Sequence, residues 1–182
     1  MSPKLMLDTN CFDFIFDQGL LQEMVTARAE GKAEFYFTTV QRDEIEAFKD
    51  KDLAKYHYVL KVIEKVPVEE AYICGVYLGI DEDTDTNRGY RAPRIGHVTM
   101  ADHDPLFDQP KSRLKPNRPL GDRGDLNIIR SAYHENMDYI VTDDAKGPFT
   151  RLVEKLQVDR GAKLKVMSSS QLSQFLCHAD NY

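Results

Sequence analysis

Four acidic residues are spaced along the chain at positions where a carboxylate can take part in chemistry: Asp8, Glu44, Asp125 and Asp144. Asp8 and Asp144 directly follow apolar runs that are typical of short buried strands. Asp125 opens a predicted helix, and Glu44 lies within another. The functional crevice of an open parallel sheet lies beyond the carboxyl ends of its strands. We therefore expect the four carboxylates to converge on one crevice.

Such convergence needs a counter-charge, because two like charges about 4 Å apart repel by roughly 4 kcal/mol at an effective dielectric constant of about 20. Magnesium binds oxygen ligands and is commonly held by carboxylates together with substrate phosphates. A bound metal lowers the pKa of a water molecule and offsets the negative charge that develops on a phosphate under in-line attack. The four acids therefore predict a magnesium site that hydrolyses phosphodiester bonds.

Alternating strands and helices are predicted to position these acids. The first part of the chain is predicted to begin with a strand at residues 4–7. One helical segment follows, with apolar residues from Phe12 to Val25, and Gly31 closes it. A strand at 34–38 and a helix at about 40–49, capped by Thr39, come next. The later part is predicted to contain helices at 53–66, from 121–125 onward, and at 149–156, strands at 138–142 and 164–167, and a terminal helix capped by 168–170. The apolar stretch at 68–78 fits either a strand or a buried helical turn. This alternation predicts an α/β fold in which helices cover a parallel sheet, as a single domain over residues 1–182.

Composition limits the classes of protein that fit this chain. The net charge of −6 argues against broad, nonspecific attraction to nucleic acid, but is compatible with an acidic enzyme that has a local basic track. The odd number of three cysteines, without a CxxC pair, favours a reducing cytoplasm. The apolar run near the N-terminus is too short for a signal peptide and ends at Asp8, and no stretch has the length of a membrane span.

Residues 80–120 differ from the rest of the chain, because they alternate acidic and basic clusters, contain several prolines and have almost no apolar periodicity. We interpret them as a long irregular insertion. A loop of this length in a compact domain is usually functional or disordered.

Four segments resemble the motifs of PIN-domain nucleases in their usual order: LMLDTN at 5–10, TTVQRDEI at 38–45, DLNIIRSA at 125–132 and DYIVTDD at 138–144. The resemblance covers nearly the whole chain outside the insertion. It matches Asp8 to the first-strand acid, Glu44 to the helix glutamate, Asp125 to the third acid and Asp144 to the acid of the closing TxD motif. Asn10 and Thr142 match positions where these nucleases keep a small polar group near the metal.

The resemblance implies an α/β/α sandwich with a central parallel sheet and Mg²⁺- or Mn²⁺-dependent cleavage of RNA. Many members are toxins of toxin–antitoxin pairs and form homodimers, so it also implies an antitoxin protein and a second copy of the chain as partners. The insertion is longer than in the compact bacterial toxins. Asp143 occupies a position often held by asparagine, and Asp122 lies one helical turn before Asp125. Both are candidate accessory residues, each as an additional ligand or as a substitute for one.

The insertion supplies the candidate RNA contacts, which are the basic residues Arg88, Arg91, Lys111, Arg113 and Lys115. Lysine and arginine contacts to phosphate position a nucleic acid without reading its sequence. Tyr90 is a candidate for stacking on a base. A solvated charged loop explains the same residues equally well.

Each acid also has a structural explanation when it is taken alone. Asp8 fits an N-cap, and Glu44 fits an exposed helix face among other charged residues. Asp125 fits a first-turn acid favoured by the helix dipole, and Asp144 fits a turn. The alternative to an enzyme is therefore a catalytically silent PIN-fold scaffold that binds RNA or protein.

Two further classes are less favoured. The five histidines lack the close spacing of a zinc site, although Asp102, His103 and Asp104 form one candidate metal-binding triplet. Another magnesium-dependent phosphohydrolase would need a nucleophile or phosphate-loop motif, and the sequence contains neither DxDxT nor GxxxxGK[ST].

Overall fold

The computed structural model describes residues 2–46, 49–66, 69–70, 76–80, 90–95, 121–144 and 148–178. Within these ranges the elements are, in chain order, β1 (Lys4–Leu7), α1 (Cys11–Gln18), α2 (Leu21–Ala29), β2 (Glu34–Phe37), α3 (Thr39–Glu46), α4 (Leu53–Lys65), β3 (Glu69–Glu70), β4 (Val76–Ile80), β5 (Tyr90–Ile95), α5 (Gly121–His134), β6 (Tyr139–Val141), α6 (Pro148–Arg160), β7 (Lys165–Met167) and α7 (Ser169–His178).

The main sheet is parallel throughout and has the strand order β3-β2-β1-β6-β7, in which β3 is only two residues long. β1 is the central strand, and its Met6 is in register with Tyr36 of β2 on one side and Ile140 of β6 on the other. The predicted α/β fold with a parallel sheet is therefore confirmed. The carboxyl ends of β1 and β6 lie side by side, which brings the residues that follow them to the same edge.

Helices cover both faces of this sheet. Leu5 and Leu7 of β1 belong to one core cluster, together with buried residues of α1, α2, α4 and α7. Met6 points to the other face and packs with buried residues of α5 and α6. The side chains of Leu5, Met6 and Leu7 are all fully buried. This explains the uninterrupted apolar run, because a parallel strand that is covered on both faces does not alternate apolar and polar residues.

The single helical segment predicted after the first strand is wrong, because the structure has two helices, α1 and α2. α1 ends at Gly19, which adopts a left-handed conformation with φ of 64°. Glycine reaches this conformation without the steric penalty of a Cβ atom, so it is a common helix terminator. Leu20, directly after this break, is nevertheless buried and only 5% exposed. The apolar spacing therefore continues across the break and conceals it in the sequence.

The predicted cap of the third helix is also wrong by one residue. α3 already includes Thr39, and Thr38 precedes it. The backbone N of Thr38 donates a hydrogen bond of 2.7 Å to Oε1 of Gln41. A threonine followed three residues later by glutamine is the sequence pattern of a capping box, in which the later side chain accepts from the N-cap amide. The neighbouring strand β2 accordingly ends at Phe37 rather than at residue 38.

The region before and within the predicted insertion contains an antiparallel strand pair, β4 with β5. The undecided stretch at 68–78 therefore contributes strand residues, in β3 and β4. The prediction of irregular structure does not hold for residues 90–95, which form β5. The rest of the predicted insertion, at 81–89 and 96–120, lies outside the described residues. None of the helices described here combines the length and apolar character needed to cross a bilayer.

Candidate active site

Asp8 is a buried carboxylate directly after the central strand β1, and it is only 6% exposed. Its Oδ1 accepts a hydrogen bond of 2.8 Å from the backbone N of Thr9. Its Oδ2 accepts one of 2.7 Å from Oγ1 of Thr142, which directly follows β6. The backbone N of Asp8 donates to the carbonyl oxygen of Val141 at 2.9 Å. Both the main chain and the side chain of Asp8 are thus fixed against the adjacent strand.

Thr142 connects the loops that follow the two strands. Its hydroxyl, which is almost completely buried, accepts hydrogen bonds from Nδ2 of Asn10 at 3.1 Å and from the backbone N of Asp144 at 3.2 Å. The Oδ1 of Asn10 accepts a bond of 3.1 Å from the backbone N of Asp143. Asn10 and Thr142, two residues expected near a metal, therefore form one polar network with Asp8.

The hydrogen bonds of this network test the alternative explanation that Asp8 serves as a helix N-cap. Asn10 holds the N-cap position of α1, yet its side chain makes no capping hydrogen bond. In the described part of the chain, the carboxylate of Asp8 bonds to Thr9 and Thr142 and not to first-turn amides of α1. Capping of α1 therefore does not explain either side chain.

The electrostatic environment of Asp8 disfavours its negative charge. Burial raises the pKa of Asp8, and this effect outweighs the hydrogen bonds from Thr142 and Thr9, which lower it. The negative charges of Asp144 and Asp143 raise the pKa further. A cation at this edge of the sheet would reverse these effects and favour the ionised carboxylate.

Glu44 of α3 is half buried, and its Oε2 accepts a hydrogen bond from Oγ1 of Thr9. The bond connects Glu44 to the residue that follows Asp8. An exposed, solvated helix face does not account for this contact. α3 itself is held by Gln41, which is fully buried and donates from Nε2 to the carbonyl oxygen of Leu7 at 3.0 Å.

Asp143 and Asp144 are both exposed, but their environments differ. The Oδ1 of Asp143 accepts a hydrogen bond of 2.8 Å from the backbone N of Ser169, the first residue of α7. Asp143 therefore satisfies an amide at the start of a helix, where backbone N–H groups have no intrahelical partner. Asp144 is held through its backbone by Thr142. Of the two, Asp144 therefore remains the predicted ligand.

Asp125 is half buried near the start of α5, which packs against α3 and β6. Of these two elements, α3 carries Glu44 and β6 precedes Asp144. Asp122 lies in the same helix, but its side chain is outside the described residues. In the described part of the chain, no three histidine, cysteine or acidic side chains are arranged so that they could hold a metal ion. The structure thus brings Asp8 close to Asp144 and, through Thr9, to Glu44, without a complete three-ligand cluster.

The predicted RNA contacts lie almost entirely outside the described residues. Arg91 falls in β5, where only the backbone is described. The other predicted RNA contacts all lie outside the described residues; they are Arg88, Lys111, Arg113 and Lys115. The alternative metal-binding triplet around His103 lies outside as well, so both remain predictions.

Sequence reasoning missed three polar residues that shape this edge of the sheet. Thr9 bonds to Glu44, Gln41 bonds to Leu7, and Ser169 donates its backbone N–H to Asp143. Only Gln41 had a readable signal, because Thr38 and Gln41 have capping-box spacing. The partners of the other two are distant in sequence.

A cleft of about 820 Å³ lies at the opposite end of the sheet, lined in part by Lys4, Asp138 and Lys163. Lys4 begins β1, and Asp138 and Lys163 precede β6 and β7, so the cleft is at the amino ends of the strands. It includes none of the predicted acids. Functional crevices of parallel sheets lie at the carboxyl ends, and the polar network around Asp8 therefore remains the candidate site.

Comparisons with protein-family models, with curated proteins and with solved structures found no match to this chain. The resemblance to PIN domains therefore depends on the four sequence motifs.

Proposed function

We propose that this chain is a PIN-type, metal-dependent endoribonuclease that hydrolyses RNA phosphodiester bonds with Mg²⁺ or Mn²⁺. The observation that carries this proposal is the buried carboxylate of Asp8. It lies at the carboxyl end of the central strand and is bonded to Thr142, and its pKa is raised mainly by burial and further by the negative charges of Asp144 and Asp143. A buried charge is costly unless it is paired or binds a metal.

The donor set fits a hard divalent cation, because every candidate ligand is a carboxylate oxygen. Asp8, Asp125 and Asp144 would hold the metal, and Glu44 would act as a further ligand or bond to groups around it. When bound, the cation would supply a water of lowered pKa and offset charge on the scissile phosphate.

The protein's own contribution is to orient these acids. Thr142 donates to one oxygen of Asp8 and the Thr9 amide donates to the other, so the carboxylate plane is fixed. Thr9 also holds Glu44. Hydrogen-bonded partners of this kind commonly fix the orientation of metal ligands. The side chains of Asp8 and Glu44 are thus each held by hydrogen bonds from neighbouring residues.

RNA is the proposed substrate, and the basic residues of the 80–120 segment are its proposed phosphate contacts. We extend the proposal to two protein partners, an antitoxin and a second copy of this chain, because both accompany many nucleases with these motifs. Co-purification from the native host and sedimentation of the pure protein test these partners separately from the activity.

The deciding experiment incubates labelled RNA and DNA with the protein, with and without Mg²⁺ or Mn²⁺. Asp8→Asn and Asp144→Asn are compared with Asp159→Asn, a control at an exposed aspartate of α6. We expect metal-dependent RNA cleavage by the wild type and the control, and strong loss in the two site variants. RNA binding without cleavage by the wild type would instead favour the silent scaffold. Equal cleavage by the wild type and Asp8→Asn would contradict the proposed site.

A further inference from the structure

Gln41 is a fully buried side chain that joins α3 to the main chain directly before Asp8. Its Oε1 accepts hydrogen bonds from the backbone N and the hydroxyl of Thr38. Its Nε2 donates to the carbonyl oxygen of Leu7 at 3.0 Å. Burying an amide is unfavourable unless its polar atoms are hydrogen-bonded. Gln41 meets this condition by bonding to both its own helix terminus and the neighbouring strand.

A second connection lies three residues further along the same helix. Residues three apart lie on one face of a helix, and there the carboxylate of Glu44 accepts a hydrogen bond from Thr9. α3 is therefore bonded to Leu7 and to Thr9, the residues immediately before and after Asp8. Ile45, only 2% exposed, adds an apolar contact to the core.

We infer that Gln41 is a positioning residue for the proposed nuclease site, and the inference rests on that proposed function. The hydrogen bond from Gln41 to Leu7 fixes the position of α3 along the direction of strand β1. That position decides whether Glu44 can reach the segment around Asp8. Gln41 itself touches neither the proposed metal nor the RNA.

Capping alone does not require this bond to a strand. Gln171 forms the equivalent capping box at α7, where its Oε1 accepts from the backbone N of Ser168 at 2.8 Å and the Ser168 hydroxyl accepts from its backbone N at 3.2 Å. Among the described residues, Gln171 makes these bonds to Ser168 and no bond to a strand. The donor of Gln41 thus has a second role, which is to tie the helix to β1.

The test uses two substitutions of Gln41 that both remove the amide donor. Gln41→Glu keeps an acceptor for Thr38, whereas Gln41→Met removes the acceptor and introduces no charge. The matched controls are Gln157→Glu and Gln157→Met. Gln157 of α6 donates from Nε2 to the carbonyl oxygen of Leu164 at 2.7 Å, before β7 and away from the site.

RNA cleavage is measured against Mg²⁺ concentration for all four variants, with thermal melts to show that each is folded. We expect the half-saturating Mg²⁺ concentration to rise about tenfold in both Gln41 variants, as is common when residues that orient ligands are lost. The KM for RNA should stay unchanged, and the Gln157 variants should match the wild type. If Gln41→Met does not fold, Gln41→Glu decides the result.

The outcomes separate this inference from the proposed function. Unchanged Mg²⁺ dependence in the Gln41 variants, with an active wild type, would overturn the inference and leave the nuclease intact. An inactive wild type would overturn the proposed nuclease function. Amide hydrogen exchange would then test whether Gln41 positions the segment around Asp8. Faster exchange at Thr9 and Asn10 in the Gln41 variants than in the Gln157 variants supports it, and equal exchange overturns it.

Discussion

The hydroxyl of Thr142 donates a hydrogen bond of 2.7 Å to the carboxylate of Asp8, across the ends of two adjacent parallel strands. The two residues are 134 positions apart in sequence. The bond fixes a buried acid at the edge of the sheet and leaves the second oxygen to the amide of Thr9.

Thr142→Val replaces the hydroxyl by a methyl group of similar size and removes the donor to Asp8. We expect cleavage to fall roughly tenfold to a hundredfold, because the carboxylate loses a partner that orients it. We also expect unfolding to become easier by about 1 to 3 kcal/mol, as when a buried polar group loses its partner. Cleavage assays and urea unfolding measure the two effects. Thr26→Val, at an exposed threonine of α2, is the control, and equal behaviour of the two variants would contradict the role of Thr142.

The raised pKa of Asp8 predicts how stability depends on pH in metal-free protein. Since the folded state binds this proton more tightly than the unfolded state, Asp8 stabilises the fold at low pH. That contribution is lost as pH rises from near 3.8, the ordinary pKa of an aspartate, through the higher pKa of Asp8 in the folded state. Asp8→Asn does not titrate. Its free energy of unfolding, relative to the wild type, should therefore increase between about pH 4 and pH 7, as measured by urea unfolding with a chelator present. The opposite trend would show that the environment of Asp8 favours its charge.

Metal binding should stabilise the folded wild type. A ligand that binds only the folded state adds about 2.7 kcal/mol at a concentration of about one hundred times its Kd. We expect Mg²⁺ or Mn²⁺ to raise the Tm of the wild type and a chelator to reverse the change, because the cation offsets the charge of Asp8. The Tm of Asp8→Asn should respond much less. A similar rise in both proteins would place the stabilising metal elsewhere.

Asp143 and Asp144 should differ although they are adjacent. Asp143→Ala removes the acceptor for the backbone N of Ser169, so we expect a loss of about 1 kcal/mol in stability and a small effect on cleavage. Asp144→Ala should abolish most cleavage with little loss of stability. Parallel melts and assays of the two variants distinguish the roles. A larger loss of cleavage from Asp143→Ala would reverse the ligand assignment.

The sequence was sufficient for elements whose pattern is continuous and local. β1 and α4 were predicted nearly to the residue, because one is an unbroken apolar run and the other keeps helical spacing. The break at Gly19 was missed, since buried Leu20 continues the apolar pattern across it. The start of α3 was misplaced by one residue, because Thr38 and Thr39 are both acceptable caps and only the bond to Gln41 distinguishes them.

For the site, the sequence predicted which residue types end the strands, but not how they bond. Position after a strand, together with the resemblance to PIN-domain motifs, selects Asp8 and Asp144. The contact of Glu44 with Thr9 depends on the position of α3 along β1. That position is fixed by the hydrogen bond between Gln41 and Leu7, two residues that are 34 positions apart in sequence. The sequence leaves Asp143 as a candidate additional or substitute ligand, because its contact with α7 arises only when β6 and β7 pair.

The central claim is metal-dependent RNA cleavage that depends on Asp8, and the most direct measurement is the single-turnover cleavage rate of labelled RNA as Mn²⁺ or Mg²⁺ is titrated. We expect the wild-type rate to rise from background to a plateau with metal concentration, and the rate of Asp8→Asn to stay near background at every concentration although the variant remains folded. A wild type without metal-dependent cleavage, or an Asp8→Asn variant that reaches the same plateau, would contradict it.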